Sequence, residues 1–242
     1  MTTTSQIIIL RCIDYQESSK IITVLSKEHG KIALIARGVK KPKNKLAGLI
    51  EVGNVLDVVY YYKASREVHT LSEASISYQS LSFRQDFEKA SVLYATLELV
   101  SQIIHDNHEN TEIFTFTKRF IEWLGEQEEP KVAVFPYVQI RLAQLIGFAL
   151  VNVCENWDET VFLNISSGTL SNEPDSELSY KLTSRQSTFV LKALQSRRND
   201  IFQLGLANRE LKQLIYHLDV YFKYHIEGYK ERRSDSIFEQ MI

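Results

Sequence analysis

The chain has 242 residues, 44% of them apolar and 24% charged, enough for one or two globular domains whose core needs no metal or disulfide staples. Nine glycines and four prolines exclude collagen-like and low-complexity architectures, and a net charge of −2 points the chain as a whole to neither a polyanion nor a membrane. Two cysteines, Cys12 and Cys154, build no disulfide framework and fit a reducing compartment. The apolar run 7–10 is too short for a signal peptide, and the thirteen uncharged residues 142–154 suit a buried helix rather than a membrane span. A soluble cytoplasmic protein is expected.

In chain order, residues 6–13, 20–25 and 31–36 read as β-branched and apolar strands, with Gly30 where the intervening turn needs a positive φ. Residues 55–62 form a fourth strand and 68–71 a short fifth. Five strands in under 80 residues, with no helical pattern to cover a flat sheet, predict a small closed barrel. From about Phe83 the period becomes helical: Val92, Ala95, Leu99 and Ile103 share a face, beside Leu93, Leu97 and Val100. Further helices are predicted over 113–124, 132–148 (kinked or started late by Pro136), 184–197 and around Leu211 to Phe222, the last with Asn208 as N-cap and no capping box. A strand–turn insert occupies about 153–181. The expected architecture is α+β: residues 1–80 an OB-type barrel, 81–242 a helical domain carrying the insert.

Charge divides at the same place. Residues 1–80 hold 11 basic and 7 acidic residues, a net of +4, whereas 81–242 hold 17 and 23, a net of −6. A basic head on an acidic body suggests a polyanion-binding module at one end. The densest cationic stretch, 37–45, supplies Arg37, Lys40, Lys41, Lys43 and Lys45 with no acidic residue among them. In the loop between the third and fourth strands these neutralise phosphates and give salt-sensitive, sequence-independent binding. Lys63 and Arg66 extend the set. Tyr60, Tyr61 and Tyr62 alternate faces on the fourth strand, and whichever set points outward is placed to stack on bases; the other set belongs to the core.

No glycine spacing matches a dinucleotide fingerprint, a P-loop or a nucleophile elbow. His105 and His108 are three apart, the polar end of an exposed helix more readily than a metal pair. His225 and Glu227 form an H-x-E with no PCxxC after it. No catalytic residue, cofactor or metal is expected. An RNA-binding OB protein and a hydrolase with an unrecognised site in the helical domain are the competing readings.

The order and spacing of several segments resemble the RecO family of bacterial recombination mediators. The likeness runs through Tyr15-Gln16-Glu17-Ser18-Ser19-Lys20, Leu25-Ser26-Lys27-Glu28-His29-Gly30-Lys31 and Ala36-Arg37-Gly38-Val39-Lys40-Lys41-Pro42-Lys43-Asn44-Lys45. It continues in Glu98-Leu99, Leu145-Ile146-Gly147-Phe148 with Cys154, Leu191-Lys192-Ala193-Leu194 and Tyr224-His225-Ile226. The resemblance implies an OB-fold barrel and a helical domain without catalytic turnover. It implies binding of single- and double-stranded DNA, strand annealing, and cooperation with RecR and single-strand-binding protein in loading RecA, within the nucleoid.

Many members of that family carry two CxxC pairs that hold zinc. Here Trp157 stands where the second cysteine of the first pair would be, and no cysteine follows Cys154. One soft ligand holds no tetrahedral zinc, so the insert is expected to be held by packing alone, with Trp157 and Phe162 as the packing residues, and the protein to purify without stoichiometric zinc. The acidic, hydrophobic tail of single-strand-binding protein needs an apolar groove with a cation. Arg141 on the third helix and Lys192, Arg197 and Arg198 on or after the fourth are the candidates.

Overall fold

A computed structural model describes residues 1–128, 132–195, 205–232 and 234. Arg197 and Arg198 lie outside the described residues. The chain forms two compact units, 1–128 and 129–242.

The first unit opens with a closed five-stranded barrel: β1 (Thr2–Tyr15), β2 (Ser19–Ser26), β3 (Gly30–Ala36), β4 (Val55–Tyr61) and β5 (Val68–Tyr78). The strands close in the order β1-β2-β3-β5-β4, with β3 and β5 parallel and the other pairs antiparallel. This is the OB-fold arrangement. β1 serves two neighbours, its first half pairing β4 and its second half β2, and a register shift between Ile9 and Arg11 bends it between them. Inward alternation puts Ile7, Ile9, Ile22, Leu34, Val58 and Tyr60 in the barrel core. Gly30 has φ +63°, and a Cβ there would sit 1.9 Å from the backbone oxygen of His108, so both the turn and the approaching loop require glycine.

The fifth strand is much longer than the predicted 68–71. Its second half, from Glu73 onward, is largely polar or exposed, and is held by pairing with β4, as in Ser75 with Asp57 and Tyr78 with Val55. Solvent on one side of that half removes the apolar signal while the ladder supplies the order.

After a four-residue α1 (Ser82–Gln85), α2 (Phe87–Ile103) starts at Asp86, whose side chain accepts from the Lys89 amide at 3.0 Å. α2 buries the predicted Val92, Ala95 and Leu99 together with Leu93, Leu97 and Val100. α3 (Thr111–Glu126) is capped by Asn110. His105 and His108 fall in the exposed connection after α2. α2 packs against β1 within the first unit. The outward row Leu25, Ile8, Val55, joined by strand pairing, is completely buried on that side of the barrel.

The second unit holds α4 (Val134–Leu145), α5 (Ser184–Gln195), α6 (Asn208–His225) and a four-stranded sheet of β6 (Val151–Asn152), β7 (Val161–Asn164), β8 (Thr169–Ser171) and β9 (Ser179–Leu182), in the order β6-β8-β7-β9. Pro136 lies in the first turn of α4, where no backbone donor is missed, so the helix starts late and is not kinked. α6 begins one residue earlier than expected. Ala207 is the N-cap, and Glu210 accepts from the Ala207 amide at 3.0 Å, half of the capping box that the spacing from Asn208 excluded.

Packing alone does not hold the insert. Trp157 and Phe162 are only half-buried. Asn164, completely enclosed, donates to Ser171 Oγ at 2.8 Å and accepts from Ser179 Oγ at 2.7 Å and the Asp175 amide at 3.1 Å. Asn172 accepts from the amides of Glu155 and Asn156 at 3.1 and 3.2 Å and donates to the carbonyls of Asn156 and Thr160. The knuckle after Cys154 is therefore clamped by one side-chain amide. Among the described residues no three His, Cys, Asp or Glu side chains are grouped to hold a metal, and no helix is long and apolar enough to cross a membrane.

Candidate nucleic-acid interface

One outer face of the barrel is covered and another is open. On the open face strand pairing lines up a single row, Tyr61, Thr70, Ile35, Ile21, Ile13, crossing five strands in turn. At about 4.8 Å per strand this row is roughly 19 Å long. Its ends are exposed, Tyr61 by 55% and Ile13 by 44%, and Tyr15, two residues beyond Ile13, by 40%. A parallel row of Val68, Ala33, Thr23 and Arg11 lies beside it. The result is a mildly apolar, solvent-facing strip with aromatic ends.

Cations flank the strip on opposite sides. Arg37 follows the end of β3 at Ala36 and begins the basic loop, while Lys63 and Arg66 occupy the β4–β5 turn beyond Tyr61 and before Val68. Val68, which opens β5 just after this turn, pairs with Ala33, four residues or about 13 Å of chain before Arg37, so the two clusters lie at opposite ends of β3. Arg37, Lys40, Lys41, Lys43, Lys45, Lys63 and Arg66 are all exposed.

The basic loop is a folded chain of turns. The Lys40 amide donates to the Ser18 carbonyl at 2.9 Å, Asn44 donates to the Arg37 carbonyl at 3.3 Å, and Asn44 Oδ1 accepts from the Leu46 amide at 2.8 Å. Its Val39 and Ile50 enter the barrel core. Lys40 Nζ meets Asp14 at 2.8 Å and holds that carboxyl below its ordinary range. An exposed pair of this kind is weak and yields to a phosphate.

The three tyrosines separate as alternation requires. Tyr60 is fully buried, its hydroxyl 3.1 Å from Ser26 Oγ and 2.6 Å from His29 Nδ1, and burial raises its pKa. Tyr62 is stacked on His29 at 3.8 Å and packed on His69 at 4.4 Å. Tyr61 alone of the three presents an open ring. The sequence reading missed Arg11, Ile13, Tyr15, Ile21 and Ile35. Their signal was available only in the register that aligns them with Tyr61.

In the second unit α4 and α5 pack together. Arg141 is half-buried on α4 and Lys192 exposed on α5, beside half-buried Leu191 and Leu194. Both thiols are poor nucleophiles: burial pushes Cys12 up to about 11 and raises Cys154 as well.

Two family models match the chain, recombination protein O N terminal over residues 1–79 and recombination protein O C terminal over residues 84–234. Among curated relatives, the DNA repair protein RecO of Chloroherpeton thalassium is 27% identical over 261 residues, covering 98% of each chain. Those of Chlorobium limicola and Prosthecochloris aestuarii are 32% and 33% identical over 148 and 141 residues, covering 61% and 58% of this chain and 57% and 53% of theirs.

Proposed function

Because the chain belongs to the RecO family of DNA repair proteins, we propose that it is a non-enzymatic recombination mediator that binds single- and double-stranded DNA through the open face of its barrel. The observation that carries this reading is the strip from Tyr61 to Ile13 lying between two groups of exposed cations. Phosphates meet Arg37, Lys40, Lys41, Lys43 and Lys45 on one side and Lys63 and Arg66 on the other. Unstacked bases lie on the strip, with Tyr61 and Tyr15 as stacking rings. Neutralising phosphates screens the repulsion between two strands, which is what annealing requires of a protein that performs no chemistry. Cooperation with RecR, loading of RecA and binding of the single-strand-binding protein tail belong to the same reading, with the α4–α5 surface bearing Arg141 and Lys192 as the tail receptor.

Reversing the charge of Lys40, Lys41 and Lys43 together tests the assignment. Binding to every DNA sequence should weaken, and the salt slope should flatten by about 0.7 to 0.9 for each phosphate no longer neutralised. Unchanged affinity and slope would remove the loop from the interface. The same series on RNA separates a DNA-binding from an RNA-binding barrel, and annealing of complementary strands coated with single-strand-binding protein reads the mediator activity itself.

A further inference from the structure

The solvent face of α6 departs from the usual mixture of charges. Six residues, Leu211, Leu214, Ile215, Leu218, Tyr221 and Phe222, bury one side of this helix. At 3.6 residues per turn, Lys212, Lys223, Tyr216 and Arg209 fall within an arc of roughly 60° on the opposite side. All four are exposed, Tyr216 by 59%. No acidic residue of the helix lies in that arc. Asp219, at one margin of the arc, is engaged with Arg232 and Gln139, and Glu210, about 100° beyond the other margin, with Thr183, Arg185 and the Ala207 amide. None of the ion pairs among the described residues uses Arg209, Lys212 or Lys223.

The tyrosine is also held in place. Its ring meets the edge of Tyr180 at 6.1 Å, and Tyr180 in turn stacks on His217 at 4.0 Å. A large aromatic ring in edge contact with two neighbouring rings yet open to water is an ordered platform. Cations along an exposed helix face with one such ring match a flexible polyanion that carries flat bases.

We propose that this face of α6 is a second binding surface for single-stranded nucleic acid, with Arg209, Lys212 and Lys223 on phosphates and Tyr216 under a base. It rests on the reading of the barrel as the first such surface and gives the chain a place for a second strand. From Arg209 to Lys223 the helix rises about 21 Å, which at 3.4 Å per nucleotide of a stacked strand accommodates about six phosphates.

The test uses the full chain and two non-complementary probes: oligo(dT) of about 16 nucleotides on beads, and a fluorescent oligo(dT) in solution. The protein should bridge them. Lys212→Glu with Lys223→Glu should lower the bridged strand about tenfold or more and reduce the salt slope of bridging by about 1.4, the value for two phosphates of a single strand. Tyr216→Ala should lower bridging about fivefold with the slope unchanged, the signature of a missing stacking platform. Bridging at the wild-type level in both variants overturns the proposal, since two copies each using the barrel would bridge without this face. Displacement of the fluorescent strand by polyglutamate as readily as by oligo(dT) also overturns it, in favour of an acidic protein partner. Capture of the first strand by the beads is read separately with Lys41→Glu and Lys43→Glu: its persistence there, with loss in the α6 variants, would refute the barrel assignment and leave the α6 surface standing.

Discussion

His217 on α6 is half-buried, its enclosed Nδ1 lacks a hydrogen-bond partner, and burial lowers its pKa to about 4. The unfolded chain therefore takes up a proton near pH 6.5 that the folded chain refuses until about pH 4. This group's contribution to stability is full above pH 6.5 and falls away as the pH drops through that window. Allowing for the partial exposure of the ring, the loss is about 2 kcal/mol. Urea denaturation at pH 7 and pH 4.5 should show it in the wild type. His217→Phe, which keeps the stack on Tyr180 without a titrating group, should lose distinctly less over the same interval. An equal loss in both would place the acid sensitivity elsewhere.

At the scale of elements, the insert between α4 and α5 shows how amide side chains tie short strands together. The strands β6, β8, β7 and β9 have two to four residues each, too short to persist as a free sheet. Asn164 ties β7 to β8 and to the 173–179 turn, and Asn172 closes the knuckle after Cys154. Asn164→Ala leaves several partly buried groups unpaired and should cost about 2–3 kcal/mol, whereas half-buried Asn172→Ala, whose hydrogen bonds are exposed, should cost about 1 kcal/mol. Hydrogen exchange should place the second effect at the amides of Glu155 and Asn156. Unaltered exchange at those two amides would show that other interactions hold the knuckle.

For the whole molecule, the strand-to-helix switch near residue 80 and the division into compact units at 128 are different boundaries. The reason lies in the outer face of the barrel. Leu25, Ile8 and Val55 form an outward row that is fully buried, α2 packs on β1, and a Cβ on Gly53 would stand 2.8 Å from the Leu93 side chain. A fragment of residues 1–80 exposes that apolar row and should aggregate or melt well below a fragment of residues 1–128. Thermal melts of the two fragments, each followed by circular dichroism and light scattering, decide it. Equal transitions would mean that the barrel does not depend on its helices.

Much of this protein is legible along the chain. Apolar alternation located β1 to β4, the 3.6-residue period located α2 to α6, and the run from Arg37 to Lys45 stood out because local charge density needs no folding to be seen. The exposed row from Tyr61 to Ile13 could not be found that way: its five members come from five strands, and only the barrel's register makes them neighbours. The same is true of which tyrosine is free, since alternation separates Tyr61 from Tyr60 and Tyr62 but only burial says which side is water. The polar clamps of Asn164 and Asn172 were likewise invisible, because an asparagine in a short polar stretch reads as a turn until distant amides converge on it. Sequence determined β1 to β4, the long helices and the charge. Tertiary structure alone decided which side of the barrel α2 covers, and so which face stays open to a ligand.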